Sequence, residues 1–132
     1  MISTTAKIII VVLCFVFAVI GFLIKIPVPL RGNDKLLHTA FYFLAAAFLH
    51  FLFRKGLVII LVVLAGFGVL IEYMQELSNK LTRTRIHGRF DKEDIYANLK
   101  GLALYSAIAL VYWVFKKMYD DISRKGAKEQ RR

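Results

Sequence analysis

The chain is poor in cysteine, proline and acidic residues, and each shortage narrows what it can be. Cys14 is the only cysteine, so the chain cannot form an intrachain disulfide. Both prolines, Pro27 and Pro29, fall in one connection together with Gly32, where they break any continuing helix. Nine acidic residues stand against 19 basic ones, which gives a formal net charge of +10. Contact with anionic headgroups accounts for this charge, since no nucleic-acid-binding module is apparent.

The sequence also lacks the motifs that identify common kinds of site. His38 with Glu72, Asp91 and Asp94 could in principle bind a divalent ion, since imidazole and carboxylates suit several such ions. No HExxH or comparable ligand spacing supports this interpretation, so the sequence predicts no metal site and no cofactor. No nucleophile motif is evident, and whether the protein is an enzyme stays open. No small-x-small cleavage pattern follows the first apolar run, which favours a retained span over a cleaved signal peptide.

Apolar sequence is abundant instead. Hydrophobic side chains make up 58% of the 132 residues, whereas about half is usual for a soluble domain. A helix that crosses a membrane needs about 17 to 25 mostly apolar residues. Four stretches meet this requirement, at about residues 8–24, 36–53, 57–77 and 95–115. The sequence therefore predicts an all-α polytopic membrane protein, in which residues 1–132 form a single membrane domain, an antiparallel four-helix transmembrane bundle.

An even number of spans places both termini on one side of the membrane. Ten lysines and arginines lie on that side and nine on the other, which is nearly a tie under the positive-inside rule. The basic pair Arg54 and Lys55 in the shortest loop favours cytoplasmic termini. Residues 116–132 are then a basic cytoplasmic tail, which we expect to be frayed.

Polar residues recur at the membrane face opposite the termini. Span parity brings the start of span two, the end of span three and the start of span four to this face. Three stripes with helical spacing result: Asp34, His38 and Tyr42; Glu72, Gln75 and Glu76; and Asp91, Asp94, Asn98 and Gly101. Ionisable groups at a helix centre in a membrane cost about 2.5 to 3.5 kcal/mol each, so they tend to face inward and pair. The stripes therefore predict a shared polar pocket.

Glu72 is the strongest signal among these residues. Fifteen apolar residues precede it, and a span that ended at Ile71 would be short. We expect Glu72 to face inward and to pair with Arg89, Lys35 or His38.

Plainer interpretations exist for several of the others. Asp34 and Asp94 stand where acids cap a helix or offset its dipole. Lys35 and Arg89 have side chains long enough to reach lipid phosphates. His50, near the opposite face, is expected to be a hydrogen-bonded packing residue.

Three segments together resemble the VanZ-like family of small bacterial membrane proteins. The segments are "DKLLHTAFYFL" (34–44), "EYMQ" (72–75) and "DIYANLKG" (94–101). The family pattern is roughly D-K-x-x-H-x-x-x-Y, E-x-x-Q, an arginine and D-x-x-x-N-x-x-G. The resemblance covers roughly residues 34–105 of the chain. It assigns characteristic positions to Asp34, Lys35, His38, Tyr42, Glu72, Gln75, Asp94, Asn98 and Gly101. The loop before Asp94 is longer than in the family, and Arg89 is the nearest of its three arginines, Arg83, Arg85 and Arg89.

The resemblance implies a function at the cell envelope. It places the protein in the bacterial cytoplasmic (inner) membrane, with the polar cluster facing outward. The cluster would engage an envelope component, a lipid-linked or anionic headgroup, and so affect susceptibility to the glycopeptide teicoplanin, a form of antibiotic resistance. The partners are the lipid bilayer and anionic headgroups, without nucleic acid or cofactor, and a homo-oligomer stays open.

Two alternatives from other functional classes stay open. In the first, the protein is a membrane-embedded hydrolase or transferase that acts on a phospholipid or a polyprenyl phosphate, with His38 as acid or base. In the second, the charges form a structural network without a ligand.

Overall fold

The computed structural model describes residues 3–23, 33–54, 56–83 and 90–129, and these ranges contain helices and no strand. The helices are α1 (Thr4–Leu23), α2 (Asp34–Phe53), α3 (Leu57–Thr82) and α4 (Lys92–Glu129). All four are long and apolar enough to cross a membrane. The predicted all-helical class with four candidate spans is therefore confirmed.

The turn between α2 and α3 explains why both helices stop where they do. Arg54 has a left-handed backbone with a φ of 54°, and its N–H donates to the carbonyl of His50 at 2.7 Å. This arrangement closes the last turn of α2. Gly56 precedes α3 with a φ of 77°, a conformation that glycine adopts without steric strain. Helix α3 therefore begins within a few residues of the end of α2.

The carboxyl-terminal part of α4 differs from the sequence-based expectation. The tail was expected to fray after Phe115, but α4 continues through it to Glu129. Acidic and basic residues stand four apart here, as in Lys117 with Asp121 and Asp120 with Arg124. Such pairs stabilise an exposed helix by about 0.2 to 0.5 kcal/mol each. The prediction of a frayed tail considered low apolar content and missed this charge spacing.

Helix α2 packs most extensively against α4. The hydroxyl of Thr39 donates to the carbonyl of Ala97 at 3.0 Å, across the helix interface. A Cβ atom at Gly101 would collide with the carbonyl oxygen of Thr39, so the two backbones are in direct contact. Further along both helices, His50 Nδ1 and the Tyr105 hydroxyl share a hydrogen bond of 2.7 Å. The prediction that His50 is a packing residue is confirmed.

The core of the protein is narrow, and much of the apolar surface faces outward. The buried core cluster consists of Tyr42, Ala46, Leu49, Ile60, Leu64, Phe67, Ile71 and Leu102. Helix α1 contributes no buried residue and packs on α3 through an edge-to-face contact of Phe15 with Phe67. Large apolar side chains such as Phe17 and Phe51 are exposed. A soluble protein rarely exposes so much apolar surface, whereas hydrocarbon would solvate it.

One end of the molecule gathers the termini of all four helices. Gln75, near the end of α3, donates from Nε2 to the carbonyl of Phe22 at the end of α1, at 2.8 Å. Glu72 accepts through Oε2 from the N–H of Asp91, which lies just before α4, at 3.3 Å. Helix α2 begins at the same end, because Lys35 forms ion pairs with the first turn of α4. This shared end contains the residues of the predicted polar pocket.

The direct backbone contact at Gly101 yields a test of the fold. Gly101→Ala should destabilise the protein by about 1 to 3 kcal/mol, because the new methyl group overpacks the interface of α2 with α4. The measurement is thermal unfolding of the detergent-solubilised protein, followed by circular dichroism. Gly66→Ala is the matched control, since a Cβ there meets nothing within 4 Å. Equal melting temperatures for the two variants would contradict the close approach.

Candidate functional site

Eight polar side chains form what we call the polar cluster at the shared end. They are Asp34, Lys35, His38, Glu72, Asp91, Glu93, Asp94 and Asn98. Four of them are buried: His38, Glu72, Asp94 and Asn98 are 3%, 1%, 8% and 2% exposed. Buried polar groups normally have hydrogen-bond partners, so the donors and acceptors of each member should have identifiable partners.

His38 lies at the centre of the cluster and is oriented by Asn98. The distance from His38 Nδ1 to Asn98 Oδ1 is 2.8 Å. An amide oxygen only accepts, so Nδ1 carries a proton and donates it. In the neutral imidazole the lone pair is then on Nε2, which lies 3.7 Å from Asp34 Oδ1. The ring of Phe22 packs against the imidazole at a centroid distance of 5.0 Å.

Carboxyl oxygens from two helices converge on this imidazole. One ligand atom from each of Asp34, His38 and Asp94 lies within 4.8 Å of the other two. Asp34 Oδ1 and Asp94 Oδ1 are buried and have no hydrogen-bond partner among the described residues. Glu72 Oε1, on α3, is also buried and has no hydrogen-bond partner among the described residues. The site therefore contains three acceptor oxygens that the described part of the chain leaves unsatisfied.

Lys35 balances acids at the rim of the cluster. Its Nζ lies 3.5 Å from Asp91 Oδ2 and 3.7 Å from Asp94 Oδ1, and it also pairs with Glu93. About half of the lysine side chain is exposed. Exposed ion pairs contribute about 0 to 1 kcal/mol, so Lys35 is free to exchange these partners for a ligand.

The described residues include two of the three partners predicted for Glu72, Lys35 and His38. Within the described residues Glu72 forms no ion pair with Lys35 or His38, and its Oε2 accepts from the Asp91 N–H instead. The free amide N–H groups at the start of α4 lie next to Glu72 and donate readily to a carboxylate. Lys35 extends outward to the acids of that same first turn. The third predicted partner, Arg89, lies outside the described residues.

Two other predicted site residues lie next to the cluster and act in packing. Gln75 ties α3 to α1 through the carbonyl of Phe22. Tyr42 is fully buried, and its hydroxyl has no hydrogen-bond partner in the part of the chain that the structure describes. Gly68 gives this ring its space, because a Cβ there would lie 3.1 Å from the Tyr42 hydroxyl and 2.8 Å from Asn98 Nδ2.

Sequence reasoning missed two residues of the site. Glu93 pairs with Lys35, and Phe22 contacts both His38 and Gln75. Glu93 carried a usable signal in the sequence, because it stands two residues after Asp91, a residue type that caps helices. In the structure Asp91 caps α4 by accepting from the Glu93 N–H at 2.8 Å. Phe22 carried none, since it is one aromatic residue in a continuous apolar run.

Comparisons of the chain with protein-family models, curated proteins and solved structures give no match. The resemblance to the VanZ-like family therefore stays a prediction that depends on the three sequence segments.

The hydrogen bond between His38 and Asn98 gives a second prediction. Asn98→Leu should lower stability by about 1 to 3 kcal/mol, because it leaves the buried Nδ1–H of His38 without an acceptor. The double variant His38→Leu, Asn98→Leu should lose less than the sum of the two single variants, since neither partner then remains unsatisfied. Thermal unfolding in detergent measures all three. Strictly additive losses would show that the two side chains do not interact.

Proposed function

We propose that this chain is a VanZ-like protein of the bacterial cytoplasmic membrane, whose four helices form an antiparallel transmembrane bundle. In this proposal the polar cluster faces outward and engages the headgroup of a lipid-linked or anionic envelope component. Binding alters susceptibility to teicoplanin. The observation that carries the proposal is a set of three buried carboxyl oxygens, one each on α2, α3 and α4 at one end of the molecule, that have no hydrogen-bond partner among the described residues.

The depth of the cluster suits a headgroup ligand. Its members lie in the first two turns of α2 and α4, directly before α4, and in the later part of α3, next to the longest apolar stretches of those helices. In a four-span arrangement this level corresponds to the interface between hydrocarbon and water. Lys35 is half exposed above the buried members, so a headgroup that enters the interface meets Lys35 before it meets His38.

Each member of the cluster has a distinct part in such binding. Lys35 supplies a mobile positive charge at the entrance. Asp94 and Glu72 supply acceptor oxygens for hydroxyl or amide donors of the ligand, because one oxygen of each is unpartnered among the described residues. His38, held by Asn98, presents Nε2 to the same space.

The unpartnered oxygens disfavour the structural network as an alternative. A network that serves only to fix helix register gains most when every member is satisfied, and unsatisfied buried groups cost about 1 to 3 kcal/mol each. The hydrolase or transferase stays the second candidate. It is supported by His38 Nε2, which lies near two carboxyl groups as a general base often does.

Substitution of the buried acids tests the proposed function. In a teicoplanin-susceptible host that expresses the protein, Glu72→Gln and Asp94→Asn should each return the minimal inhibitory concentration to the value of the empty vector. Both changes keep the size of the side chain and remove the charge. Glu76→Gln should leave the concentration unchanged, because Glu76 pairs at the surface with Lys80, at 2.7 Å.

Membrane content and elution in size-exclusion chromatography serve as controls for folding. If Glu72→Gln and Asp94→Asn are inserted and folded yet confer the susceptibility of the unmodified protein, the proposed role of the cluster is wrong.

Orientation is tested by labelling of single cysteines in a Cys14→Ser background. Asn79→Cys, near the end of α3, should react with a membrane-impermeant maleimide in intact cells. Ala127→Cys, near the end of α4, should react only after the cells are permeabilised. The opposite pattern would place the polar cluster in the cytoplasm and exclude an outward ligand.

A further inference from the structure

The charge of the polar cluster is unsuited to an anion by itself. Five carboxyl groups, those of Asp34, Glu72, Asp91, Glu93 and Asp94, face one lysine and one imidazole among the eight side chains of the cluster. Buried carboxylates require a nearby cation or a proton to be stable. An anionic headgroup would add further negative charge to this space. Of the five carboxyl groups, those of Glu72 and Asp94 are buried, so a bound cation or a proton would stabilise them beyond what Lys35 supplies.

Three of these side chains have the geometry of a metal-binding site. Asp34 Oδ1 lies 3.7 Å from His38 Nε2, and one ligand atom from each of Asp34, His38 and Asp94 lies within 4.8 Å of the other two. Metal–ligand distances of about 2.0 to 2.2 Å keep two ligands of one ion within about 4.4 Å of each other. The first pair already satisfies this limit. The ligand atoms thus need only side-chain rotation to reach a common ion.

Two observations besides the acidic character of the cluster indicate a cation. Asp94 is 8% exposed, and its Oδ1 is buried without a hydrogen-bond partner among the described residues, 3.7 Å from Lys35 Nζ. His38 donates from Nδ1 to Asn98 Oδ1, so the lone pair of the neutral ring is on Nε2. Metal-binding histidines almost always donate their second ring N–H in this way, which fixes the tautomer and orients the ring.

We propose that Asp34, His38 and Asp94 bind a divalent first-row cation, Zn²⁺ or Mn²⁺ in class. One imidazole nitrogen with two carboxylate oxygens suits these ions better than Ca²⁺, which takes six to eight oxygens. Asn98 is a positioning residue that holds His38. The sequence-based expectation of no metal site is revised accordingly.

The proposed ion has an available coordination position. Three protein ligands leave a tetrahedral ion with one open position, which water or a phosphate oxygen can occupy. Lys35 Nζ, 3.7 Å from Asp94 Oδ1, is half exposed and moves away as the ion binds. The binding of a headgroup phosphate at the open position rests on the proposed function. The cation site itself does not depend on the proposed function.

Direct measurement of cation binding tests the inference. The full-length protein is purified in detergent, its affinity tag is removed, and bound ions are stripped with EDTA. Titration with Mn²⁺, followed by the loss of the free-ion signal in electron paramagnetic resonance, should show one site per chain, and Zn²⁺ should displace the Mn²⁺. His38→Ala, Asp34→Asn and Asp94→Asn should each weaken binding at least about tenfold.

His50→Ala is the matched control, because it removes an imidazole from the same helix. His50 pairs with Tyr105 away from the cluster, so its loss should leave Mn²⁺ affinity unchanged. Asp34→Asn lies at the first residue of α2, so it provides a reading even if a core variant such as His38→Ala does not fold. Wild-type protein that binds neither ion below about 1 mM, or Asp34→Asn protein that binds as the wild type does, would overturn the proposal.

The outcomes also separate this inference from the proposed function. The protein could bind neither Mn²⁺ nor Zn²⁺ while its effect on teicoplanin susceptibility still required Glu72 and Asp94. This result would reject the cation site and leave the proposed function standing. Retained Mn²⁺ binding without any effect on susceptibility supports the cation site and rejects the proposed function.

Discussion

The backbone contact between Gly101 and Thr39 sets the register of α2 against α4, and the polar cluster depends on that register. Asn98 lies three residues before Gly101 and therefore on the same face of α4. His38 immediately precedes Thr39. Once the glycine rests on the Thr39 carbonyl, His38 and Asn98 are brought to 2.8 Å, and Asp94 follows one turn further along. A larger residue at position 101 would separate the helices and lengthen every contact above it.

Hydropathy and span parity predicted the coarse arrangement well. Long apolar runs specify helices in any medium that offers the backbone no other hydrogen-bond partners, and all four appear. Parity then predicted that the start of α2, the end of α3 and the start of α4 share one end. Hydropathy alone could not predict the end of α4, because the charged residues that stand four apart beyond Phe115 favour a helix but lower the apolar score.

The hydrogen-bond and ion-pair partners of the individual cluster residues could not be predicted from the sequence. The pairing of Glu72 with the Asp91 N–H depends on how α3 is rotated about its axis, which the sequence does not specify. The candidate ligand set shows a related difficulty. Asp34 and His38 stand four apart on one helix, a spacing compatible with ligation, but Asp94 comes from another helix some 60 positions later. A linear motif cannot include a ligand whose distance in sequence is set by two intervening connections.

The positions of the acids within their helices determine how tightly the cluster can hold a cation. Asp34 and Asp94 lie in the first turns of α2 and α4, where the helix dipoles offset part of their charge, by about 0.3 to 1 kcal/mol each at exposed sites. This stabilises the cluster without an ion and lowers the gain when one binds. Glu72, in the later part of α3, lacks such an offset and depends on the Asp91 N–H. Carboxylates that are already partly compensated favour an exchangeable cation over a permanent structural one.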